Sequence, residues 1–190
     1  MSEPRRIVVG ISGASGVIYG VRLLSALGAS GFETHLVMSR SAEITLAHET
    51  SLKVAAVRKL ATHWHAQEDI GASISSGSFR AIGMIVAPCS VRSMSEIATG
   101  VTSGLLTRAA DVTLKERRRL VLMVRETPLH LGHLRTMTQL AEMGAIIAPP
   151  LPAFYARPTS LNEMIDHSVG RVLDLFGIDN DLARRWKEPS

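Results

Sequence analysis

The sequence predicts a doubly wound α/β fold, in which a parallel sheet carries helices on both faces as a flavodoxin-like or Rossmann-like three-layer sandwich. Short apolar runs recur along the chain, and each is followed by small or polar residues and then by a helical pattern. Runs this apolar are typical of strands that are covered on both faces. Because helical patterns separate them, the strands are expected to join through parallel crossovers. Ligands of such sheets lie beyond the carboxyl ends of the strands.

Five strands and seven helices follow from this pattern. The first strand, 7–11, leads through small residues into a helix that begins near Ser15 or Gly16 and ends at Gly28 to Gly31. The other predicted strands are 35–38, 84–87, 120–124 and 145–148. The other predicted helices are 42–49, 52–61, 93–99, 105–116, 133–143 and 161–176. The polar, Gly- and Ser-rich stretch 63–79 is predicted to be a mobile loop.

Composition limits the classes of function. A chain of 190 residues that is 46% hydrophobic can bury its core as one domain. The net charge of +4 comes with only 4% aromatic residues and no basic tract among them, which disfavours nucleic-acid binding. Cys89 is the single cysteine, and no signal peptide or membrane-spanning run is present, so we expect a cytoplasmic protein. The positive mean hydropathy favours a homo-oligomer that buries apolar surface between subunits.

The first strand runs into the segment GISGASG, which resembles a phosphate-binding turn. A strand that passes through small residues into a helix offers backbone N–H groups and a positive helix end to a phosphate. Ser12 replaces the middle glycine of a dinucleotide fingerprint, and the second strand ends in Ser39 and Arg40 without a carboxylate, so NAD is disfavoured. The absence of a GK[ST] sequence excludes an ATP-binding P-loop.

Serines at the predicted strand ends favour a monophosphate ligand. Ser39, Ser90 and Ser93 carry hydroxyl groups that, together with that of Ser15, can surround a phosphate. Such a ring suits FMN better than a dinucleotide. Cys89 lies beside these serines, but no neighbouring base activates it and we assign it no chemistry.

A second set of charges predicts another phosphate site. Arg108 and Lys115 are seven residues apart on a predicted helix, so they share a face and can meet one phosphate. Arg125 and Glu126 end the next strand and, as neighbours, point in opposite directions unless the strand bends.

Histidine pairs raise the question of a metal. They are His63 with His65 and His130 with His133, but no carboxylate or cysteine completes a set of zinc ligands. We therefore predict no metal.

The chain resembles the UbiX-type flavin prenyltransferases, which join a dimethylallyl group to reduced FMN. The resemblance covers residues 6–186 and is carried by the motifs GISGASG, ETHLVMS, ASISSGSF, APCSVRS, TRAADVTLKERRRLVL, RETPLHLGHL and PAFYARP. It implies a single flavin-binding α/β domain over residues 1–190 with a C-terminal helical arm, working without a metal. It also implies a homo-oligomer, expected to be a dodecamer, that makes prenylated FMN for a UbiD-type decarboxylase in ubiquinone biosynthesis.

The same resemblance implies roles for individual residues. The positions that match FMN-binding residues are Gly13, Ala14, Ser15, Ser39, Ser90, Val91, Arg92, Ser93 and Arg125. Those that match the grip on dimethylallyl phosphate, partly across subunits, are Arg108, Lys115, Tyr155 and Arg171. Glu49, Lys115 and Glu126 match the catalytic positions. Some relatives carry a tryptophan where this chain has Ile70 and Gly71, which leaves Trp186 or the flavin itself to face the allyl group.

Two other functions remain open on the sequence. In the first, the chain is an FMN-dependent decarboxylase in its own right. In the second, it is a carrier subunit that only delivers FMN. A carrier has no use for a second phosphate site, which favours the transferase. Whether the prenyl donor is the monophosphate or the diphosphate is also open.

Overall fold

The computed structural model describes residues 5–186, which form six strands and seven α-helices. The strands are β1 (Arg6–Ile11), β2 (Glu33–Met38), β3 (His63–His65), β4 (Gly83–Cys89), β5 (Arg119–Val124) and β6 (Ile146–Ile147). The helices are α1 (Val17–Ala29), α2 (Arg40–Glu49), α3 (Val54–Arg58), α4 (Val91–Thr99), α5 (Leu105–Lys115), α6 (Leu131–Glu142) and α7 (Leu161–Asp174). Short 3₁₀ turns lie at Ser73–Ser75 and Phe154–Ala156.

The strands form one sheet in the order β3-β2-β1-β4-β5-β6, and all paired neighbours are parallel. This confirms the predicted doubly wound fold. The chain builds outward from β1 through β2 to β3, then returns to β4 on the other side of β1. The crossovers diverge between β1 and β4, and this is the point at which doubly wound sheets bind ligands.

Alternate residues of each strand supply two apolar layers. Ile7, Val9 and Ile11 of β1 face a core that includes side chains of α1, α2, α3 and α7. Val8 faces the other core, which α4, α5 and α6 cover. Helix α1 approaches the sheet closely because Gly20 has no side chain: a Cβ there would lie 2.4 Å from the carbonyl oxygen of Ala87. This contact fixes the start of α1 beside the end of β4.

The stretch 63–79 is anchored to the fold, and the prediction of a mobile loop is wrong. Its first three residues form β3, an edge strand that pairs with β2. Ile74 is buried, and the guanidinium of Arg118 donates hydrogen bonds to the carbonyl oxygens of Gly77 and Phe79 at 2.7 and 2.5 Å. The backbone N–H of Leu105 donates to the carbonyl of Gln67 at 2.8 Å. The strand HWH is too short and too polar to give the apolar run expected of a buried strand.

Smaller differences concern lengths of elements. The predicted helix 52–61 is only Val54–Arg58, and the predicted strand 145–148 is the two-residue β6. Within residues 5–186, none of the helices has the length and apolar character needed to cross a bilayer.

Candidate functional site

Two serines cap the helices that follow the central strands. Ser39 is the N-cap of α2, where its hydroxyl oxygen accepts a hydrogen bond from the N–H of Ala42 at 3.1 Å. Ser90 caps α4 in the same way and accepts from the N–H of Ser93 at 3.2 Å. Each cap is local, because an N-cap serine bonds the backbone two or three residues ahead. The two helix starts and the two hydroxyl groups meet at the carboxyl edge of the sheet.

A cavity of about 430 Å³ opens at this edge. Residues from six segments line it, namely Gly13, Ser39, Arg40, Ser41, Gln67, Ser90, Val91, Arg92, Ser93, Glu96, Ser103, Leu106, Thr107 and Glu126. Gly13 allows the loop after β1 to lie against α2, since a Cβ at this position would come within 2.2 Å of the Cβ of Ser41. The cavity brings together the predicted FMN-binding residues Gly13, Ser39 and the whole Ser90 to Ser93 turn. We call it the serine cavity.

Ser12 holds this turn in place, although it is not among the predicted site residues. Its side chain is fully buried, donates a hydrogen bond to the carbonyl of Pro88 at 3.0 Å and accepts one from the N–H of Ser90 at 2.7 Å. These two bonds tie the end of β1 to the end of β4. The sequence marks Ser12 only as a residue in place of a fingerprint glycine, since its bridging role depends on which strands are neighbours.

The start of α1 is already occupied by a side chain, which corrects the expectation that it stands open to a phosphate. The carboxylate of Glu49 accepts hydrogen bonds from the N–H of Gly16 at 2.9 Å and from that of Val17 at 3.2 Å. The preference of a helix N-terminus for an anion is therefore satisfied by the last residue of α2. The starts of α2 and α4, at the serine cavity, are capped by serine hydroxyls instead.

A second cavity of about 540 Å³ lies beside the Glu49 carboxylate. Its lining includes Ser15, Tyr19, Glu49 and Arg125, with apolar side chains from α1 and α7. Burial raises the pKa of Tyr19, against the opposing effect of the Arg125 charge. We call this the Glu49 cavity.

Arg125 and Glu126 face different cavities. Arg125 lines the Glu49 cavity and Glu126 lines the serine cavity, as expected for adjacent residues at the end of a strand. The Glu126 carboxylate accepts a hydrogen bond from the N–H of Thr127 at 2.9 Å and is otherwise exposed. Two ionic groups of opposite charge thus stand at the boundary between the cavities.

The residues predicted to hold the prenyl donor fall into two separate groups. On α5, Arg108 forms an ion pair with Asp111 at 2.8 Å, and Lys115 pairs with Glu116. At the other end of the chain, Arg171 of α7 pairs with Asp174 at 2.7 Å.

Tyr155 belongs to the second group and is held by a buried histidine. Its hydroxyl lies 3.1 Å from Nε2 of His167, and the indole of Trp186 packs edge-on against its ring at 5.3 Å. His167 is buried and also lines a cavity of about 310 Å³ that Arg171 shares. His167 is not among the predicted site residues, because only the fold brings it beneath Tyr155.

Lys115 lies far from the serine cavity of its own chain. Helix α5 begins at the carboxyl edge of the sheet, where Leu106 and Thr107 line the cavity, and ends just before β5 starts at the opposite edge. Lys115 is eight residues beyond Thr107 and therefore about 12 Å further along the helix axis. Within one chain, this geometry keeps Lys115 away from the cavity.

Cys89 is fully buried at the end of β4, and its burial raises the pKa of the thiol to about 12. A thiol in this state is not a nucleophile.

The chain resembles known proteins over nearly its whole length. Residues 1–173 match the family model described as Flavoprotein. A flavin prenyltransferase UbiX of Thauera aromatica is 60% identical over 181 residues, which cover 95% of this chain and 93% of that protein. A crystal structure of AnUbiX (PadA1) in complex with FMN and dimethylallyl pyrophosphate has a TM-score of 0.96 and 49% identity, covering 99% of this chain and 100% of that one. A dodecameric FMN-dependent UbiX-like decarboxylase from Escherichia coli has a TM-score of 0.94 and 47% identity, covering 96% and 100%.

Proposed function

The chain belongs to the UbiX flavin prenyltransferases within the flavoprotein family, and we propose that it transfers a dimethylallyl group from dimethylallyl phosphate to reduced FMN. The observation that carries this proposal is the near-complete superposition on a relative that was crystallised with FMN and dimethylallyl pyrophosphate together. Residues 1–190 act as one flavin-binding domain in this proposal. Reduced FMN supplies the two nucleophilic ring atoms, N5 and C6, that accept the prenyl group.

The serine cavity fits the phosphate end of FMN. Ser39 has a hydroxyl hydrogen to donate, and the hydroxyl of Ser90 donates to Oγ of Ser93 at 3.2 Å. Ser39 and Ser90 both sit at helix N-termini that favour an anion. Ala14, Ser15 and Arg125 extend this cradle toward the Glu49 cavity, where Ser15 and Arg125 are lining residues. Phosphate and ring system are thereby assigned to adjoining cavities.

The donor phosphate requires a second copy of the chain. Arg108, Lys115, Tyr155 and Arg171 are proposed to bind this phosphate, and their positive charges stabilise the negative charge that develops as it leaves. Because α5 carries Lys115 away from the cavity of its own chain, we assign Lys115 to a neighbour's site. The homo-oligomer is proposed to be a dodecamer, as in the relative from Escherichia coli.

Two carboxylates remain for proton transfer and positioning. Glu126 is proposed to accept the proton that must leave C6 for the second bond to form, a role open also to the released phosphate. Glu49 is held by two backbone N–H groups and faces the cavity assigned to the ring system. It is proposed to orient the reacting groups, while apolar residues of α1 and α7 exclude water from a carbocation-like species.

The product is proposed to serve a UbiD-type decarboxylase in ubiquinone biosynthesis, in the cytoplasm. A second candidate function, decarboxylation by the chain itself, is supported by the description of the Escherichia coli relative as an FMN-dependent decarboxylase.

One experiment separates these functions. The protein is incubated anaerobically with reduced FMN and dimethylallyl phosphate, without added metal and with a chelator present, and the released flavin is analysed by mass spectrometry. We expect a flavin heavier by one C5 prenyl unit, with release of inorganic phosphate. A parallel reaction with dimethylallyl pyrophosphate identifies the donor. Unchanged flavin, together with decarboxylation of an aromatic acid by this chain alone, would establish the second function instead.

A further inference from the structure

Four ionisable side chains meet on one face of the sheet, on strands β2 and β3. They are Glu33 and His35 of β2 with His63 and His65 of β3, and we call them the β2–β3 histidine cluster. Ser39 follows Glu33 by six residues and His35 by four along an extended strand, so these two residues lie about 20 and 13 Å along the strand from Ser39. Nothing in the proposed reaction uses these four residues.

The strand register explains why they meet. His35 of β2 is directly paired with His63 of β3, and Val37 with His65. Residues two apart on a strand point to the same face, which places Glu33 and His35 together, and likewise His63 and His65. The sequences ETH and HWH therefore converge on one surface. The pair His63 and His65 lacks a carboxylate nearby in the sequence, because Glu33 comes from the neighbouring strand β2. The sequence therefore predicts no metal.

The distances in the cluster match those between ligands of one metal ion. Nε2 of His35 lies 3.1 Å from Oε1 of Glu33, and Nε2 of His63 lies 3.5 Å from the same oxygen. All three potential ligand atoms are within 4.8 Å of one another. Two ligands at about 2.0–2.1 Å from a tetrahedral Zn²⁺ are about 3.3 Å apart, so small shifts suffice to admit the ion.

The surroundings also resemble those of a metal site. The second carboxylate oxygen of Glu33 accepts a hydrogen bond from Nε of Arg6 at 2.9 Å, which leaves Oε1 for a ligand. Nδ1 of His35 lies 3.0 Å from Nε2 of His65, so His35 can donate its remaining N–H there once Nε2 binds a metal. The ring of Phe79 packs edge-on against His35 at 4.7 Å and forms an apolar wall.

We propose that Glu33, His35 and His63 bind one Zn²⁺ or a similar divalent transition-metal ion, with water as a further ligand. Two imidazoles and one carboxylate are donors typical of such ions. The ion does not take part in prenyl transfer. It connects β3, an edge strand paired only with β2, to the rest of the sheet. The nearby Arg6 charge opposes a second positive charge, so we expect micromolar rather than tighter binding.

The test is a titration of the tag-free, metal-stripped protein with ZnCl₂ by calorimetry. Wild type is expected to bind one Zn²⁺ per chain. His63→Ala removes a half-exposed ligand at little risk to folding, and Glu33→Gln keeps the shape of the side chain while removing its charge. Each variant is expected to bind at least tenfold more weakly. His48→Ala, which removes an exposed histidine outside the cluster, is expected to bind like wild type.

Two further measurements locate the ion. Co²⁺ bound to wild type is expected to give the visible absorption bands of a low-symmetry N,O site, which His63→Ala lacks. Zn²⁺ is expected to raise the melting temperature of wild type and of His48→Ala, but not that of His63→Ala. Equal affinity for Zn²⁺ in wild type and His63→Ala, or no binding to wild type below millimolar concentration, would overturn the proposal. Prenyl transfer by folded His63→Ala is expected to equal that of wild type, and this result is independent of metal binding.

Discussion

The serine cavity and the donor-phosphate residues differ in how much of each site one chain contains. The serine cavity is assembled from the ends of neighbouring strands, and Ser12 ties two of these ends together within the core. The donor residues lie in two places, and their three cations pair with acids of the same chain. Under the proposed assignment, flavin binding is a property of the folded chain, whereas use of the donor is a property of the assembly.

Removing the proposed base affects catalysis most and leaves both binding sites intact. Glu126→Gln keeps the size and hydrogen bonding of the side chain but cannot accept a proton. We expect FMN affinity to stay unchanged and prenyl transfer to slow by about 10²–10⁴-fold, the usual contribution of a general base. Rapid-quench kinetics with reduced FMN should place the delay after donor binding. Glu142→Gln, at an exposed position on α6, is the matched control. Wild-type turnover in Glu126→Gln would assign the proton to the released phosphate.

Removing one donor cation should separate the two sites. Lys115→Ala deletes a charge-assisted contact worth about 1.5–3 kcal/mol, so turnover with dimethylallyl phosphate should fall by about ten- to a hundredfold. FMN affinity, measured by fluorescence titration, should hardly change. Arg117→Asn is the control: it removes a neighbouring charge and suits the left-handed backbone at φ 57°. Loss of FMN binding with donor use intact would reverse the assignment of the two phosphate sites.

Mixed oligomers test whether the donor site is shared between subunits. If Lys115 and Arg171 reach one site from different subunits, Lys115→Ala and Arg171→Ala chains complement each other. Equal amounts assembled at random give about a quarter of sites with both unmutated side chains, and we expect a similar fraction of wild-type activity. The two variants mixed without subunit exchange are the control and should keep only the reduced activity of the single variants. Absence of recovery in proven mixed oligomers would place both residues in one chain's site.

The sequence predicts the parts of this structure that depend on local pattern. Apolar runs give five of the six strands, and the carboxyl edge of the sheet follows from them. Strand β3 is not predicted from apolar runs, because HWH is an edge strand with two exposed residues. Without β3, the sequence does not predict that Glu33 lies near His63, because only the strand register brings them together.

Side-chain contacts between distant elements are the parts that pattern does not predict. Glu49 reaches the start of α1 over a separation of 33 residues, and His167 reaches Tyr155 from another element. Helical spacing correctly places Arg108 and Lys115 on one helix, but it does not say at which edge of the sheet the helix ends. The donor site is harder to predict than the flavin site for this reason.

The smallest expected effect concerns Ser12, which ties the end of β1 to the Ser90 turn of the serine cavity. Ser12→Ala leaves the N–H of Ser90 without its hydrogen-bond acceptor in the core, at a cost of about 1–3 kcal/mol in the free energy of unfolding. Part of this loss should appear as weaker FMN binding, by about fivefold, because the Ser90 to Ser93 turn is no longer fixed. The KM for dimethylallyl phosphate at saturating FMN should stay unchanged, since Ser12 touches none of the donor residues. Denaturant unfolding and FMN titration of Ser12→Ala, compared with the partly buried control Ser95→Ala in the middle of α4, measure the two effects separately. A rise in the donor KM in Ser12→Ala, with FMN affinity unaltered, would mean that the turn serves the donor phosphate rather than the flavin.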